Sequence, residues 1–194
     1  MNLFALCVAV LTSVYGLVTL LKNKMPLRYQ IVVFGSWCYL LAVLYRVLYA
    51  IFIPVPAFHA GYLAYAGTFF FLLSAYFSGP KKAGRHRKII TLLPALVILV
   101  WGCLNVARGH GVLPHLLLIP VLLTACFASD ALLEKEEAAL RLYHGAVLAL
   151  CLLQPVMLVA MLTREHTEIP IFLTSVLSAA TVPLAYRGCK QWST

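Results

Sequence analysis

Residues 29–53 read YQIVVFGSWCYLLAVLYRVLYAIFI, and Arg46 is the only charged side chain among them. An α-helix needs about 20 predominantly apolar residues to cross the hydrocarbon core of a bilayer. The stretch is long enough, and it is apolar throughout instead of alternating as a strand of a membrane barrel would. It therefore predicts a transmembrane helix.

Six further stretches of the same kind occupy most of the chain. The 194 residues are 63% hydrophobic and 11% charged, whereas soluble domains carry about 25% charged residues. Seven spans of about 20 residues leave no room for a soluble domain. We therefore expect one transmembrane domain over residues 1–194, with an all-α fold that forms a seven-transmembrane-helix bundle. The predicted helices cover residues 2–21, 29–53, 60–78, 89–107, 112–129, 139–163 and 169–186.

Basic residues are unevenly distributed between the predicted loops. The loops after helices 1, 3 and 5, together with the C-terminal tail, carry twelve Lys and Arg, whereas the opposite loops carry only Arg108 and Arg164. Short loops rich in Lys and Arg stay in the cytoplasm. The pattern predicts an outside N-terminus and a cytoplasmic C-terminus in a cell membrane of the bacterial type.

The same topology accounts for the formal net charge of +9. Binding of single-stranded nucleic acid needs a basic groove with aromatic side chains on which bases stack in water. No segment of the sequence offers that combination, so nucleic acid is not an expected partner. The lipid bilayer is the expected one.

Cysteine and histidine residues do not form a cofactor-binding pattern. The six cysteines are spread singly, with no CxxC pair and no Cys–His spacing of a zinc site. Four histidines lie in predicted outer loops or at the outer ends of predicted helices, without helical spacing, and only His144 lies well within a predicted span, near its inner end. Haem would need histidines deep in facing helices. We predict no metal and no cofactor.

Arg46 is the most informative single residue, because a charge inside a span is costly and usually faces the bundle interior or a wet cavity. It lies about 26 Å along the axis from the cytoplasmic end of helix 2. All six acidic residues lie in loops or at helix ends, so Glu165 and Glu168 are the only carboxylates within its reach. Three alternatives follow: Arg46 extends to the outer headgroups, pairs with Glu165 or Glu168, or anchors a ligand.

Polar residues recur at helical spacing on several predicted spans. Ser36, Tyr39, Arg46 and Tyr49 share one face of helix 2, and helices 1, 6 and 7 carry comparable faces. Polar faces in lipid turn inward. We therefore expect helices 1, 2, 3, 6 and 7 to surround a polar interior, with helices 4 and 5 at the periphery. The alternative is that the Ser and Thr residues only form interhelical hydrogen bonds, worth about 0.6 kcal/mol each.

No motif in the sequence names a ligand or a reaction. Paired acids, a nucleophile–base pair and a metal set are missing from the predicted spans, so no catalytic residue is predicted. We expect a small molecule or lipid-like ligand in an outer-half cavity of a receptor or sensor, which would signal to a cytoplasmic or membrane protein partner. A transporter or transporter subunit is the alternative, and an intramembrane enzyme comes third. The predicted ligand-binding residues are Arg46, which would hold an anionic or carbonyl group, and Tyr49, Tyr65, Gln154 and Thr174.

Overall fold

The computed structural model describes residues 2–52, 60–78, 89–109, 115–134, 137–163 and 168–192. Within these ranges the chain forms seven α-helices and one short 3-10 turn, and no β-strand. The all-α, seven-helix prediction is therefore confirmed. The helices are α1 (Asn2–Lys22), α2 (Leu27–Phe52), α3 (Ala60–Phe77), α4 (Leu93–Ala107, preceded by the 3-10 turn Ile89–Leu92), α5 (Leu118–Leu132), α6 (Ala138–Thr163) and α7 (Glu168–Trp192).

Six of the seven described helices are long and apolar enough to cross a membrane, when the 3-10 turn is counted with α4. The exception is α5, which has 15 residues. The outward faces of the helices are apolar: Leu11 and Leu21 of α1 are 70% and 78% exposed. Soluble proteins rarely expose large contiguous apolar patches. Length, composition and exposure together identify a helical integral membrane protein.

Two helices extend at least three residues past their predicted C-terminal ends. The predicted fifth helix covers residues 112–129, but α5 runs from Leu118 to Leu132, and residues 112–114 lie outside the described ranges. It continues past Ser129 because Asp130 is buried in the bundle and does not mark a solvent boundary. The predicted seventh helix ends at residue 186, but α7 continues to Trp192. Its last turns stay helical because Gly188 packs directly against Leu140 of α6.

Successive helices run in opposite directions. Thr19 near the end of α1 is hydrogen-bonded to Tyr29 near the start of α2, with 2.6 Å between the hydroxyl oxygens. Tyr76 near the end of α3 is bonded to Nδ1 of His144 near the start of α6, at 2.9 Å. The bundle therefore has two ends. We call the end at which α1, α3, α5 and α7 begin the N-terminal end, and the other the C-terminal end.

Helix α5 is central to the bundle, so the prediction that helix 5 is peripheral is wrong. Ten of its fifteen residues are buried, and α3 and α6 pack against it. Its small residues, among them Ala125 and Ala128, allow this close packing. Thr124 turns inward, and its hydroxyl donates to the carbonyl oxygens of Pro120 at 2.6 Å and of Phe69 at 3.3 Å. Only three of the fifteen residues of α4 are buried, which agrees with its predicted peripheral position.

Close approach of α1 to its neighbours depends on a glycine. A Cβ atom added at Gly16 would lie 2.9 Å from Cγ1 of Val33 and 3.3 Å from Cγ1 of Val182. Any larger residue would push α1 away from α2 and α7. Small residues at such contacts are typical of membrane helices, in which van der Waals packing and not the hydrophobic effect holds helices together.

Candidate ligand-binding site

Arg46 lies six residues before the end of α2, so about 9 Å below the N-terminal end along the helix axis. Its side chain is partly buried. The groups that act on its guanidinium electrostatically are the hydroxyls of Tyr65, Tyr39 and Tyr62. Tyrosine hydroxyls can solvate a cation but cannot neutralise it. The site therefore holds a positive charge without a counter-charge among the described residues.

The predicted acidic partners of Arg46 do not supply that counter-charge in the described part of the chain. Glu168 is the first residue of α7, at the same end of the bundle, and its side chain is exposed and forms no ion pair with Arg46. Glu165 lies outside the described residues. Pairing of Arg46 with Glu165 remains a prediction.

Tyr65 of α3 occupies the centre of the site. Its ring lies edge-on to Tyr39, with 5.7 Å between the centroids. The hydroxyl is buried and makes no hydrogen bond of acceptable geometry, although Gln154 and Thr174 are near enough to interact with it. A buried hydroxyl without a partner costs about 1–3 kcal/mol. Position and isolation make it a candidate contact for a ligand.

The two polar neighbours of Tyr65 each donate a hydrogen bond to a backbone carbonyl oxygen of their own helix. Thr174 donates its hydroxyl proton to the carbonyl oxygen of Pro170 at 2.8 Å. The Gln154 amide nitrogen donates to the carbonyl oxygen of Leu150 at 3.3 Å. Thr174 has then used its only proton, whereas the Gln154 amide keeps a second N–H besides its oxygen. Pro155 follows Gln154 inside α6 and has no N–H for the carbonyl one turn before it, which weakens the helix at this level.

Tyr39 is held by a directional pair with α7. Its hydroxyl lies 2.9 Å from the Ser175 hydroxyl. Ser175 donates its own proton to the carbonyl oxygen of Ile171 at 2.6 Å. Tyr39 must therefore be the donor in the pair, and its oxygen keeps free lone pairs. The contact fixes α2 against α7 just below Arg46.

Four of the five predicted site residues lie together, because Arg46, Gln154 and Thr174 all interact with Tyr65. The fifth, Tyr49, stacks on Tyr45, with 6.5 Å between ring centroids. Tyr49 is one turn nearer the N-terminal end than Arg46, and its ring contact is with a lipid-exposed side chain.

Three residues of this site are not among the predicted ligand-binding residues: Tyr39, Tyr62 and Ser175. A signal existed for Tyr39, which shares the helical face of Arg46. Ser175 had none, because its partner is 136 positions away in the chain.

Two small cavities adjoin these residues. The first, cavity A, has a volume of about 30 Å³ and lies between α3, α5 and α6, where Tyr62, Tyr65 and Gln154 contribute its polar lining. The second, cavity B, has a volume of about 10 Å³ and lies between α1, α2, α3, α6 and α7. By this measure one water needs about 10–15 Å³. Cavity A has room for about two waters, and a larger ligand would have to displace side chains.

The described residues contain no group of three or more His, Cys, Asp and Glu side chains that could hold a metal ion. Within this part of the chain the one buried histidine, His144, is engaged with Tyr76. The groups that the described site offers are one cation, several hydroxyls and one amide.

Comparison of the chain with protein family models, with curated proteins and with solved structures finds no match.

Proposed function

We propose that this protein binds a small molecule or lipid-like ligand with an anionic or carbonyl group in the N-terminal half of the bundle. Arg46 would hold that group, with Tyr65, Gln154 and Thr174 as its polar neighbours. The observation that carries the proposal is the Arg46 guanidinium beside the unpartnered Tyr65 hydroxyl, with no described carboxylate paired to it. An anion would supply both missing interactions.

The position of Tyr39 relative to Arg46 favours binding over extension to the headgroups. Tyr39, one of its electrostatic neighbours, lies two turns of α2 further from the N-terminal end. Side chains in helices point back toward the helix N-terminus, which for α2 is the direction of Tyr39. An arginine that reached the nearer headgroups would have to turn the opposite way.

The dimensions of the site restrict the ligand. Cavity A holds about two waters, so only a group as small as a carboxylate or phosphate fits near Tyr65 without displacing the ring. Lipid surrounds the helices, so an attached alkyl chain could lie between α3 and α6 or in the bilayer. The shared chemistry of the expected ligands is thus a small anionic head, either on a free amphiphile or on a lipid.

The receptor or sensor function rests on the position of the site. We place the N-terminal end outside a cell membrane of the bacterial type, from the distribution of basic residues. Six of those twelve residues, Lys135 and the five within 81–88, lie outside the described ranges. Pro155 next to Gln154 would let ligand binding alter the bend of α6. A cytoplasmic or membrane protein partner would read that change.

A transporter is the second candidate, and one observation favours it. Cavity B is lined by Tyr39 and cavity A by Tyr65, so the two cavities lie on either side of the Tyr39–Tyr65 contact. A solute that left cavity A toward the C-terminal half would meet this contact as a barrier. Transport would need the two rings to separate.

A thermal-shift experiment tests the proposal. The protein in phosphatidylcholine nanodiscs is titrated with octyl phosphate, with octanol as the uncharged control. We expect octyl phosphate alone to stabilise the protein, by about 2.7 kcal/mol at a concentration 100-fold above Kd. Arg46→Gln should abolish the stabilisation. Arg108→Gln should keep it, since Arg108 is an exposed arginine at the same end of the bundle.

Two further arms separate the sources and the mechanisms. Nanodiscs with phosphatidylglycerol and no added ligand test a lipid headgroup, which should stabilise the wild type but not Arg46→Gln. Flux of radiolabelled octyl phosphate into proteoliposomes, lost in Arg46→Gln, would replace the receptor proposal with the transporter. Equal stabilisation of wild type and Arg46→Gln in both membranes would refute an Arg46 site.

A further inference from the structure

Cavity B lies where five helices meet near the middle of the bundle, and its polar side chains all carry hydroxyl groups. Six hydroxyl-bearing residues line it: Thr12 of α1, Ser36 and Tyr39 of α2, Thr68 of α3, and Ser178 and Thr181 of α7. The cavity belongs to no part of the proposed ligand site except through Tyr39.

Five of these six hydroxyls, all except that of Ser178, already donate a hydrogen bond to another oxygen. Thr12 donates to the carbonyl oxygen of Val8 at 2.8 Å, and Ser36 to that of Val33 at 2.7 Å. Thr181 donates to the carbonyl oxygen of Ser178 at 2.7 Å, and Thr68 makes a longer bond of the same kind. Tyr39 donates to Ser175, as argued above. These oxygens therefore offer lone pairs to the cavity.

Ser178 is the exception. The residue is only 6% exposed, and its hydroxyl has no hydrogen-bond partner in the described part of the chain. Its proton is the one uncommitted donor of the cavity lining. A buried hydroxyl that lacks a partner is destabilising unless an unseen group completes its bonds.

We propose that cavity B holds one ordered water molecule, bound to Ser178 and to the hydroxyl oxygens around it. A water has two protons and two lone pairs. It would accept from Ser178 and donate to two of the acceptor oxygens, which gives it the three bonds that buried waters typically make. The volume of about 10 Å³ is at the lower limit for one water.

The lining excludes the two other occupants. A cation would meet only neutral oxygens, because no charged side chain lines the cavity, and a cation without a counter-charge is costly at membrane depth. An empty void would leave the Ser178 proton unpaired, and dry cavities are typically apolar. The water also extends the hydrogen bonds of Tyr39 and Ser175 from α7 to α1 and α3.

The sign of the change in Tm on mutation of Ser178 tests whether cavity B holds a water molecule. Ser178→Ala should lower Tm by roughly 2–4 °C, because the water loses its donor in a chain of this size. Ser129→Ala is the matched control, since the Ser129 hydroxyl is also buried and unpartnered but lines neither cavity. That variant should leave Tm unchanged or raise it. If Ser178→Ala raises Tm as well, cavity B is dry and the proposal is wrong.

A measurement on the unaltered protein tests the same proposal if Ser178→Ala fails to fold. Solid-state NMR of bilayer samples with ¹³C-labelled serine, with magnetisation transferred from water, should give early signal at Ser178 and none at Ser129. Absence of the Ser178 signal would overturn the proposal. Neither test depends on the Arg46 ligand, so their outcome is separate from that of the thermal-shift experiment.

Discussion

Tyr65 in the N-terminal half differs in its hydrogen bonding from Tyr29 and Tyr76 in the C-terminal half. In the C-terminal half, Tyr29 is bonded to Thr19 at 2.6 Å and Tyr76 to His144 at 2.9 Å. In the N-terminal half, the buried hydroxyl of Tyr65 has no such bond, and an arginine lies near it. Both halves are helical and surrounded by lipid, so composition does not explain the difference. Tyr65 thus differs from Tyr29 and Tyr76 in its hydrogen bonding, and it differs in the same way from Tyr39, which is bonded to Ser175 in the same half.

The packing of the helices shows the same contrast. On the C-terminal side of the site, Gly16 allows α1 to contact α2 and α7, and Gly188 allows α7 to contact α6. On the N-terminal side, Tyr65 and Gln154 line cavity A, so their side chains are not closely packed there. Tyr65 and Gln154 thus border a space in the N-terminal half, whereas Gly16 and Gly188 lie at direct helix contacts.

The largest expected effect comes from disturbing the packed half. Gly16→Val should destabilise the protein by about 1–3 kcal/mol, because the added carbons would overlap Val33 and Val182. Thermal unfolding in nanodiscs measures the change. Gly145→Ala is the control, because a Cβ at Gly145 meets no atom within 4 Å. It should be neutral or stabilising by up to about 1 kcal/mol. Equal loss of stability in both variants would contradict close packing at Gly16.

A smaller effect compares the tyrosines directly. Tyr29→Phe should cost about 1 kcal/mol, the net value of one hydrogen bond. Tyr65→Phe should cost nothing or stabilise the ligand-free protein, because the removed hydroxyl has no partner. The same unfolding experiment measures both. If Tyr65→Phe proves as destabilising as Tyr29→Phe, the Tyr65 hydroxyl is structurally satisfied and the contrast between the halves is wrong.

Much of the fold follows from local sequence signals. Apolar stretches of membrane length predict seven helices, because a chain in lipid must satisfy its backbone groups within each segment. The helical spacing that relates Arg46 to Tyr39 places both on one face, and the structure shows them as electrostatic neighbours. These properties depend on residues less than two or three turns apart.

The remaining features depend on which helices are neighbours. The central position of α5 was not predictable from its polarity, because small residues such as Ala125 and Ala128 are buried by close approach and not by hydrogen bonding. The pairing of Tyr39 with Ser175 joins α2 to α7. Among the predicted site residues, Tyr49 shares the helical face of Arg46 and stacks on Tyr45, and its part in ligand binding stays a prediction.

We propose that the N-terminal half binds an anionic group beside Tyr65 and that Tyr29 in the C-terminal half takes no part. Titration of octyl phosphate into protein with ¹³Cζ-labelled tyrosine tests it most directly, with Tyr65→Phe and Tyr29→Phe used to assign the two resonances. We expect the Tyr65 resonance to shift until the site is saturated with octyl phosphate, and the Tyr29 resonance to stay in place. An unmoved Tyr65 resonance, or equal shifts of both, would contradict it.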